Sequence, residues 1–374
     1  MTYMRFALLL AGQLLLPRCS ASTTELAPLE WQRVAGTGPG GSVMGFGAPG
    51  DFDERGNFTI TAFKDGSLFR LYYGGADATG ACPGINGAHW RIGVATSIDG
   101  INWTRVRGTA TAGGAILDNG ASGHFDSFLT YRPHVLKDGS VYRMWYNGSD
   151  AAFNCSNGTL TQNRRIGYAE STDGVTFTRM NDGSGPDGTV LPLGPAGSID
   201  EQQVGYVWVI KDTSDYKMYY SANDVHLFWR VGLAVSTDGR HWTKVPGKLA
   251  GGAILDVGPS GSFDVACAYQ PSVVKEREQL YRMWYRGCQA ARPGGGPSLG
   301  VIGYAESNDG VTWVKITQPG PLGAALAQGA AGQFDSGGLT TPSVFLDGTT
   351  WSMYYAGFDT NGVFLTGLAR APNR

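Results

Sequence analysis

A chain of 374 residues with 57 glycines, 16% charged and 42% hydrophobic residues has the makeup of many short strands joined by tight turns, not of helices. Aromatic residues at 11% are ample for a packed core, and one domain of this length calls for a barrel, a propeller or a pair of sandwiches. The net charge of −2, with no basic face and no charged tail, argues against nucleic acid as a partner.

The first 22 residues read as a secretory signal peptide: Arg5 supplies the positive region, Phe6 to Leu16 the apolar run, and Ser20, Ala21 and Ser22 the small residues for cleavage. The run is too short to span a bilayer and no later segment is apolar enough, so no membrane contact is expected after its removal. Residues 23–374 are then expected to form one secreted domain. Without Cys19 the cysteines are Cys82, Cys155, Cys267 and Cys288, an even set in an exported chain. Tyr269 to Lys275 and Leu280 to Arg286 read as a hairpin turning at Glu276–Gln279, which sets Cys267 opposite Cys288, within reach of a disulfide. Cys82 and Cys155 fall in equivalent loops of neighbouring units and form a second plausible pair. Sequons stand at Asn57, Asn102, Asn147, Asn154 and Asn157, some of them by chance.

The rest of the chain is five copies of a unit of roughly 70 residues. Each opens with a Gly-rich linker, clearest in GGAILDNGASGHFD at 113–126 and GGAILDVGPSGSFD at 251–264. The linkers end at Asp53, Asp126, Asp200, Asp264 and Asp335. Two strands joined by a turn follow, as in TYRPHVLKDGSVYRMWYNG, and the second alternates in the manner of a sheet. Its closing aromatic lies 20 residues after the aspartate at Tyr73, Tyr146, Tyr220 and Tyr355, and 21 after it at Tyr285. After a loop of variable length comes a third strand, then S-x-D-G-x-x-[WF] as in RIGVATSIDGINW, a hairpin signal opening a fourth strand. The fifth unit stops after its third strand, while Glu30 to Val34 reads as an orphan fourth strand. The expected fold is therefore an all-β, five-bladed β-propeller of four-stranded antiparallel blades, closed by the N-terminal strand joining the last blade.

The repeated A-x-S-x-D-G-x-x-W and Y-x-M-x-Y-x-G segments resemble the five-bladed propellers of the arabinanase, invertase and levansucrase clan of carbohydrate-active enzymes. The resemblance covers nearly the whole chain after the signal. It implies a pocket at the mouth of the central channel and two essential carboxylates with a third in support, the aspartates near the starts of inner strands, often before a proline. This sequence departs from that pattern. The column in question holds Thr59, Arg132, Tyr206, Gln270 and Thr341, none of them a carboxylate, and Arg132 is followed directly by Pro133 where invertases carry Arg-Asp-Pro.

An aspartate present in every unit reads as a turn former, as do the S-x-D-G residues Asp99, Asp173, Asp238 and Asp309. Glu54 and Glu201 break the repeat and are candidates for substrate contact, although a solvated rim is the plainer reading of both. Arg132, Tyr206 and Gln270 are the candidate catalytic groups, with Thr59, Tyr131, Trp208, Tyr269 and Thr341 as substrate-binding candidates and His89, His226 and Trp229 on the rim. Five scattered histidines make no metal cluster, and no cofactor motif is present.

Two classes of function follow. An aromatic pocket with one Arg and several hydroxyl or amide donors can fold and polarise a small molecule without an acid–base pair, as in a cycloaddition on a polyketide or terpenoid. In general organisation the chain resembles fungal biosynthetic cyclases such as the hetero-Diels–Alderases of tropolone sesquiterpenoid pathways. The alternative is a glycoside hydrolase or transferase of the propeller clan with relocated carboxylates (Glu54, Asp126, Glu201), or a propeller that binds carbohydrate without turnover.

Overall fold

The computed structural model describes residues 28–78, 89–111, 113–150, 163–181, 186–226, 228–289 and 299–373. The signal peptide, Cys82, Cys155, Asn154 and Asn157 lie outside these residues, as does the side chain of Thr59.

The described residues are almost all strand and turn. After β1 (Gln32–Val34), the repeats appear as successive antiparallel sets. The first is β2 (Gly56–Asp65), β3 (Leu68–Ala76), β4 (Trp90–Ser97) and β5 (Thr104–Val106). The second is β6 (Leu129–Asp138), β7 (Val141–Ser149), β8 (Arg165–Ser171) and β9 (Thr178–Arg179). The third is β10 (Gln203–Asp212), β11 (Asp215–Asn223), β12 (Trp229–Ser236) and β13 (Thr243–Val245). The fourth is β14 (Cys267–Arg277), β15 (Leu280–Cys288), β16 (Gly300–Ser307) and β17 (Val314–Lys315). The last has β18 (Gly338–Asp347), β19 (Thr350–Phe358) and β20 (Phe364–Pro372), and its fourth strand is β1, with Arg33 opposite Ala369. The orphan strand thus pairs where the repeat had predicted.

Cys267 and Cys288 face each other in register and are joined by a disulfide. The hairpin itself turns one residue later than expected, with Arg277 opposite Leu280. Two register slips between that turn and the cysteines restore the predicted pairing.

The alternation of the second strands separates two cores. In β7, Tyr142, Met144 and Tyr146 pack toward the first set, whereas Trp145 packs toward the third. The other second strands repeat this division, so each core cluster lies between two sets, including one that joins the last set to the first through Tyr354, Leu368, Leu71 and Tyr73.

Three repeating polar devices fix the sets to one another. In the first, each linker aspartate is buried and pairs with a cation of the fourth strand, and four of the five, all but Asp53, also accept from the tyrosine 20 or 21 residues on. Asp126 meets Tyr146 at 2.9 Å and Arg179 at 2.8 Å, and Asp200 meets Tyr220 at 3.0 Å and Lys244 at 2.6 Å. Asp53 pairs with Arg105, and Asp264 meets Tyr285 and Lys315. In the last set the cation is Arg33 of β1, 2.8 Å from Asp335. The glycine six positions before each aspartate has no room for a Cβ, because the carboxylate fills that space.

In the second, the aromatic one position before each of those tyrosines donates to the D-G turn of the next unit. Tyr72 bonds Gly174 O at 2.9 Å, Trp145 Gly239 O at 2.9 Å, Tyr219 Gly310 O at 3.1 Å, and Tyr354 Gly100 O at 2.6 Å. The turn itself is held by its own aspartate, as where Asp99 accepts from the N–H groups of Ile101 and Asn102. The last set has no such turn, because its fourth strand comes from the other end of the chain. Its counterpart donor, Trp284 Nε1, is buried without a partner among the described residues, its ring edge-on to Trp31 at 6.0 Å.

In the third, one side chain of each inner strand reaches its neighbour. Thr61 donates to Pro133 O at 2.8 Å, His134 Nε2 to Val209 O at 2.8 Å and Trp208 to Val273 O at 2.7 Å. Ser272 accepts from Val344 N and Ser343 from Ala62 N, each at 2.9 Å, so the series returns to the first inner strand.

Asn57 and Asn147, two of the sequons, are fully buried, so neither can carry a glycan in the folded chain.

Arg33→Ala leaves the buried carboxylate of Asp335 without its cation. The expected cost is about 3 kcal/mol, the low end for breaking a buried pair because Arg33 is partly exposed. Chemical denaturation measures it, and Asp335→Asn in the same background should restore part of the loss.

Burial pushes the His134 imidazole down to about 3 against a backbone hydrogen bond that opposes the shift. The unfolded chain therefore binds a proton that the folded chain refuses between about pH 6.5 and pH 3. Stability should fall as pH is lowered through that window, by up to about 1.4 kcal/mol per pH unit from this residue. Denaturation midpoints of wild type and His134→Gln, compared from pH 7 to pH 4.5, should show the slope removed in the variant.

Candidate functional site

Every inner strand slips register once near its start: at Phe58/Ile60, Tyr131/His134, Gly205/Trp208, Tyr269/Ser272 and Thr340/Ser343. The residues at these bulges are the column singled out in the sequence. Arg132, Tyr206, Gln270 and Thr341 all have left-handed backbones, with φ of 58°, 48°, 56° and 45°. Such a conformation costs a non-glycine residue on the order of 1–3 kcal/mol, most for a β-branched one such as Thr341. Pro133, Pro271 and Pro342 follow three of the bulges, where a missing N–H breaks no ladder.

The surroundings hold these residues in place. The Tyr206 N–H donates to Asn147 Oδ1 at 2.9 Å and the Gln270 N–H to Ser221 Oγ at 2.9 Å. Gln270 Oε1 accepts from the Thr341 N–H at 2.9 Å and from the Thr340 hydroxyl. Three bulged amides, those of Tyr206, Gln270 and Thr341, are thus caught by a side chain of the preceding set, which preorganises that part of the column.

Arg132, Tyr206, Gln270 and Thr341 line one narrow cavity of about 30 Å³, together with Thr61, Trp208 and the three prolines. A wider cavity of about 510 Å³ shares Thr61 and Trp208 and continues past His134 to Lys64, Lys137, Lys211 and Lys275. These lysines are paired across the sets with Asp347, Asp65, Asp138 and Asp212 at 2.5–2.9 Å. The candidate chemistry therefore belongs to the narrow end.

Around that end stand the aromatic residues. Trp229 stacks on Tyr269 with ring centres 5.1 Å apart, and Tyr206 lies edge-on to both. Tyr131 meets Trp90 edge-on at 4.8 Å, and His89 lies against Phe128 at 5.4 Å. Two further arginines fix this wall. Arg164 donates to the Tyr131 hydroxyl at 2.9 Å and lies over Trp229 at 5.3 Å, and Arg286 donates to the Tyr269 hydroxyl at 2.8 Å. The Arg132 guanidinium lies 3.2 Å from the centre of the Tyr206 ring.

The structure brings Arg132, Tyr206, Gln270, Thr341 and Trp208 to one cavity, with Tyr131 and Tyr269 beside it. It does not bring Glu54 or Glu201 there. Glu54 accepts from the N–H groups of Gly50 and Ala78, both at 2.8 Å, and Glu201 from those of Gly197 at 2.9 Å and Val225 at 3.1 Å. Both carboxylates clip a linker to the loop after the second strand. Asp126 is engaged by Arg179 and Tyr146, so the three relocated carboxylates considered from the sequence all have structural partners. Arg132 forms no salt bridge with a linker aspartate, each of which has another cation.

Arg164, Arg286 and Asn147 were missed. The signal was available, because aligning the ends of the second strands gives Gly74, Asn147, Ser221, Arg286 and Ala356, a column with no shared residue.

No acidic residue lines the narrow cavity, and among the described residues no group of three or more His, Cys, Asp or Glu could hold a metal ion. The arrangement can bind an oxygen-bearing molecule against aromatic faces and donate to it from Arg132.

No family model matches the chain. It is 30% identical over 276 residues to the uncharacterized protein MT1551 of Mycobacterium tuberculosis (strain CDC 1551 / Oshkosh), covering 69% of this chain and 74% of that one. It is also 30% identical over 258 residues to the uncharacterized protein Rv1502 of strain ATCC 25618 / H37Rv, covering 69% and 76%. Among solved structures, a glycoside hydrolase superposes with a TM-score of 0.66 at 15% identity, over 90% of this chain and 92% of that one. A structure from work on the GH130 family of mannoside phosphorylases gives 0.65 at 17% identity, over 94% and 98%. A thermostable family-43 glycoside hydrolase gives 0.56 at 17% identity, over 84% and 88%. At these identities the likeness is one of fold, the all-β propeller architecture of glycoside hydrolases.

Glu54→Gln and Glu201→Gln each weaken two charge-assisted bonds to backbone. Each should lower stability by about 1 kcal/mol and leave ligand affinity unchanged. Thermal denaturation and a binding titration on the same samples check this. A selective loss of binding or turnover at unchanged stability would restore these residues as candidates.

Proposed function

The chain belongs to the family of the two Mycobacterium tuberculosis proteins MT1551 and Rv1502, and from that premise we propose that it is an exported, five-bladed carbohydrate-recognising propeller. Its ring is closed by β1, and its ligand sits over the mouth of the narrow cavity, which at about 30 Å³ admits a single polar group of it. The observation that carries this reading is the wall formed by Tyr206, Trp229 and Tyr269 beside the preorganised bulges, on a fold whose solved neighbours include glycoside hydrolases. Aromatic faces stack on the apolar faces of sugar rings, and Arg132, Gln270 and Thr341 supply polar groups for hydroxyls.

Arg132, Tyr206 and Gln270 are the central contacts in this reading. Trp208, Thr341, Tyr131 and Tyr269 shape the site, and Thr59 belongs to the same column. Glu54 and Glu201 are not part of it.

A second reading is favoured by one observation: the carboxylates considered for hydrolysis are engaged elsewhere, while Arg132 lines a cavity that no carboxylate shares. That suits non-hydrolytic chemistry on a small oxygen-bearing molecule, polarised by the guanidinium. The glycoside hydrolase-like neighbours do not support the cycloaddition form of this reading, so carbohydrate recognition is preferred.

Screening the secreted protein against a glycan array, with turnover followed by release of reducing sugar, separates the two. Carbohydrate recognition predicts a defined set of bound glycans and a loss of affinity of about tenfold or more in Trp229→Ala, from the loss of one aromatic platform. Absence of any bound glycan, together with a changed metabolite profile when the chain is co-expressed with its neighbouring genes, would replace it with the small-molecule reading.

A further inference from the structure

The narrow cavity holds a charge that nothing around it neutralises. Arg132 Nε and Nη1 are buried and make no hydrogen bond among the described residues. The guanidinium lies over the ring of Tyr206 and 4.8 Å from the centre of Tyr131. Ring faces attract a cation but do not replace the oxygen acceptors its N–H groups require. No carboxylate lines the cavity, and the nearby charges that act on the group include Arg164 and Arg286, of the same sign. Burial above all, and then these arginines, bring the guanidinium down to about 9, so it stays charged at neutral pH.

A fold gains no stability from such an arrangement. Arg132 is half-buried, but two of its N–H groups are buried without acceptors, which is unfavourable, and the left-handed backbone at the same residue adds to that. Unmet donors and local strain gathered at a cavity are the features expected of a site made for a ligand. The flat fork of a guanidinium matches the paired oxygens of a carboxylate or phosphate, where a lysine would offer only a point charge.

We propose that the ligand carries an anionic oxygen group, a carboxylate or a phosphate, which docks on the unpaired N–H groups of Arg132. Arg164 and Arg286 add attraction of the same sign while holding the tyrosine walls, and Tyr206, Trp229 and Tyr269 cover the ring that bears the group. This rests on the carbohydrate reading and narrows it to an acidic sugar or a sugar phosphate, in place of a neutral glycan. It also gives the site a specificity mechanism. A neutral analogue leaves the guanidinium unpaired and is rejected for that reason.

Calorimetric titration of the whole secreted chain with glucuronate, glucose 6-phosphate, inorganic phosphate and glucose tests this, in wild type and Arg132→Gln. The two sugar arms distinguish a carboxylate from a phosphate. The expected result is binding of glucuronate or glucose 6-phosphate at least about tenfold tighter than glucose, weakened about tenfold or more in Arg132→Gln. The variant should melt at the same temperature as wild type or higher, because removing an unpaired charge relieves the fold. A variant that melts several degrees lower or fails to fold marks Arg132 as a structural cation and overturns the proposal. Binding of a neutral oligosaccharide that is unaffected by Arg132→Gln overturns it and leaves the carbohydrate reading standing. Inorganic phosphate bound through Arg132, with no sugar bound, supports the anion site and removes the carbohydrate reading.

Discussion

The constraint on which the rest depends is the buried carboxylate at the end of each linker. A carboxylate with little or no exposure must be paired, because an uncompensated buried charge costs more than a domain can spare. Each linker aspartate meets that demand with a cation from the fourth strand, and all but Asp53 add a tyrosine hydroxyl from the second. One group therefore ties linker, second strand and fourth strand to a fixed geometry in every unit. In the last unit the cation is Arg33, more than three hundred residues away in sequence, and the same demand binds the two ends of the described chain together.

That scaffold makes the candidate site affordable. Four non-glycine residues with left-handed backbones and a half-buried arginine with two unmet donors are all unfavourable in isolation. They persist because the side chains of Asn147, Ser221 and Gln270 catch three of the bulged amides and because the inner strands are stitched to one another by Thr61, His134, Trp208, Ser272 and Ser343.

The devices are not uniform around the molecule. Between the fourth and last units the inter-unit lysine is replaced by Leu346, and Glu276 turns instead to Arg282 and Arg277 of its own unit. At the same junction Trp284 finds no turn carbonyl to donate to. Packing of Trp284 against Trp31 and Trp351 takes the place of those polar contacts. The departure has a plain cause: the last unit is assembled from both ends of the chain and lacks the hairpin that the other units place there.

Much of this was legible in the sequence, because a repeat is its own internal control. The near-constant interval from linker aspartate to closing tyrosine marked the repeat, although these aspartates read as turn formers and four of them instead accept from those tyrosines; the D-G turns, the orphan strand within Glu30 to Val34 and the pairing of Cys267 with Cys288 followed from local pattern and register. The column Arg132, Tyr206, Gln270 and Thr341 could also be aligned from sequence. What sequence could not decide is which side chains are already engaged. Glu54 and Glu201 looked free because their partners are backbone N–H groups, which leave no mark on composition. Arg164 and Arg286 were passed over because the tyrosines they hold are brought to them only by folding. Strand order and turn type are local properties, written in spacing and in glycine. The charge balance of a cavity is a property of what several distant segments place around it, and only the tertiary structure sets that.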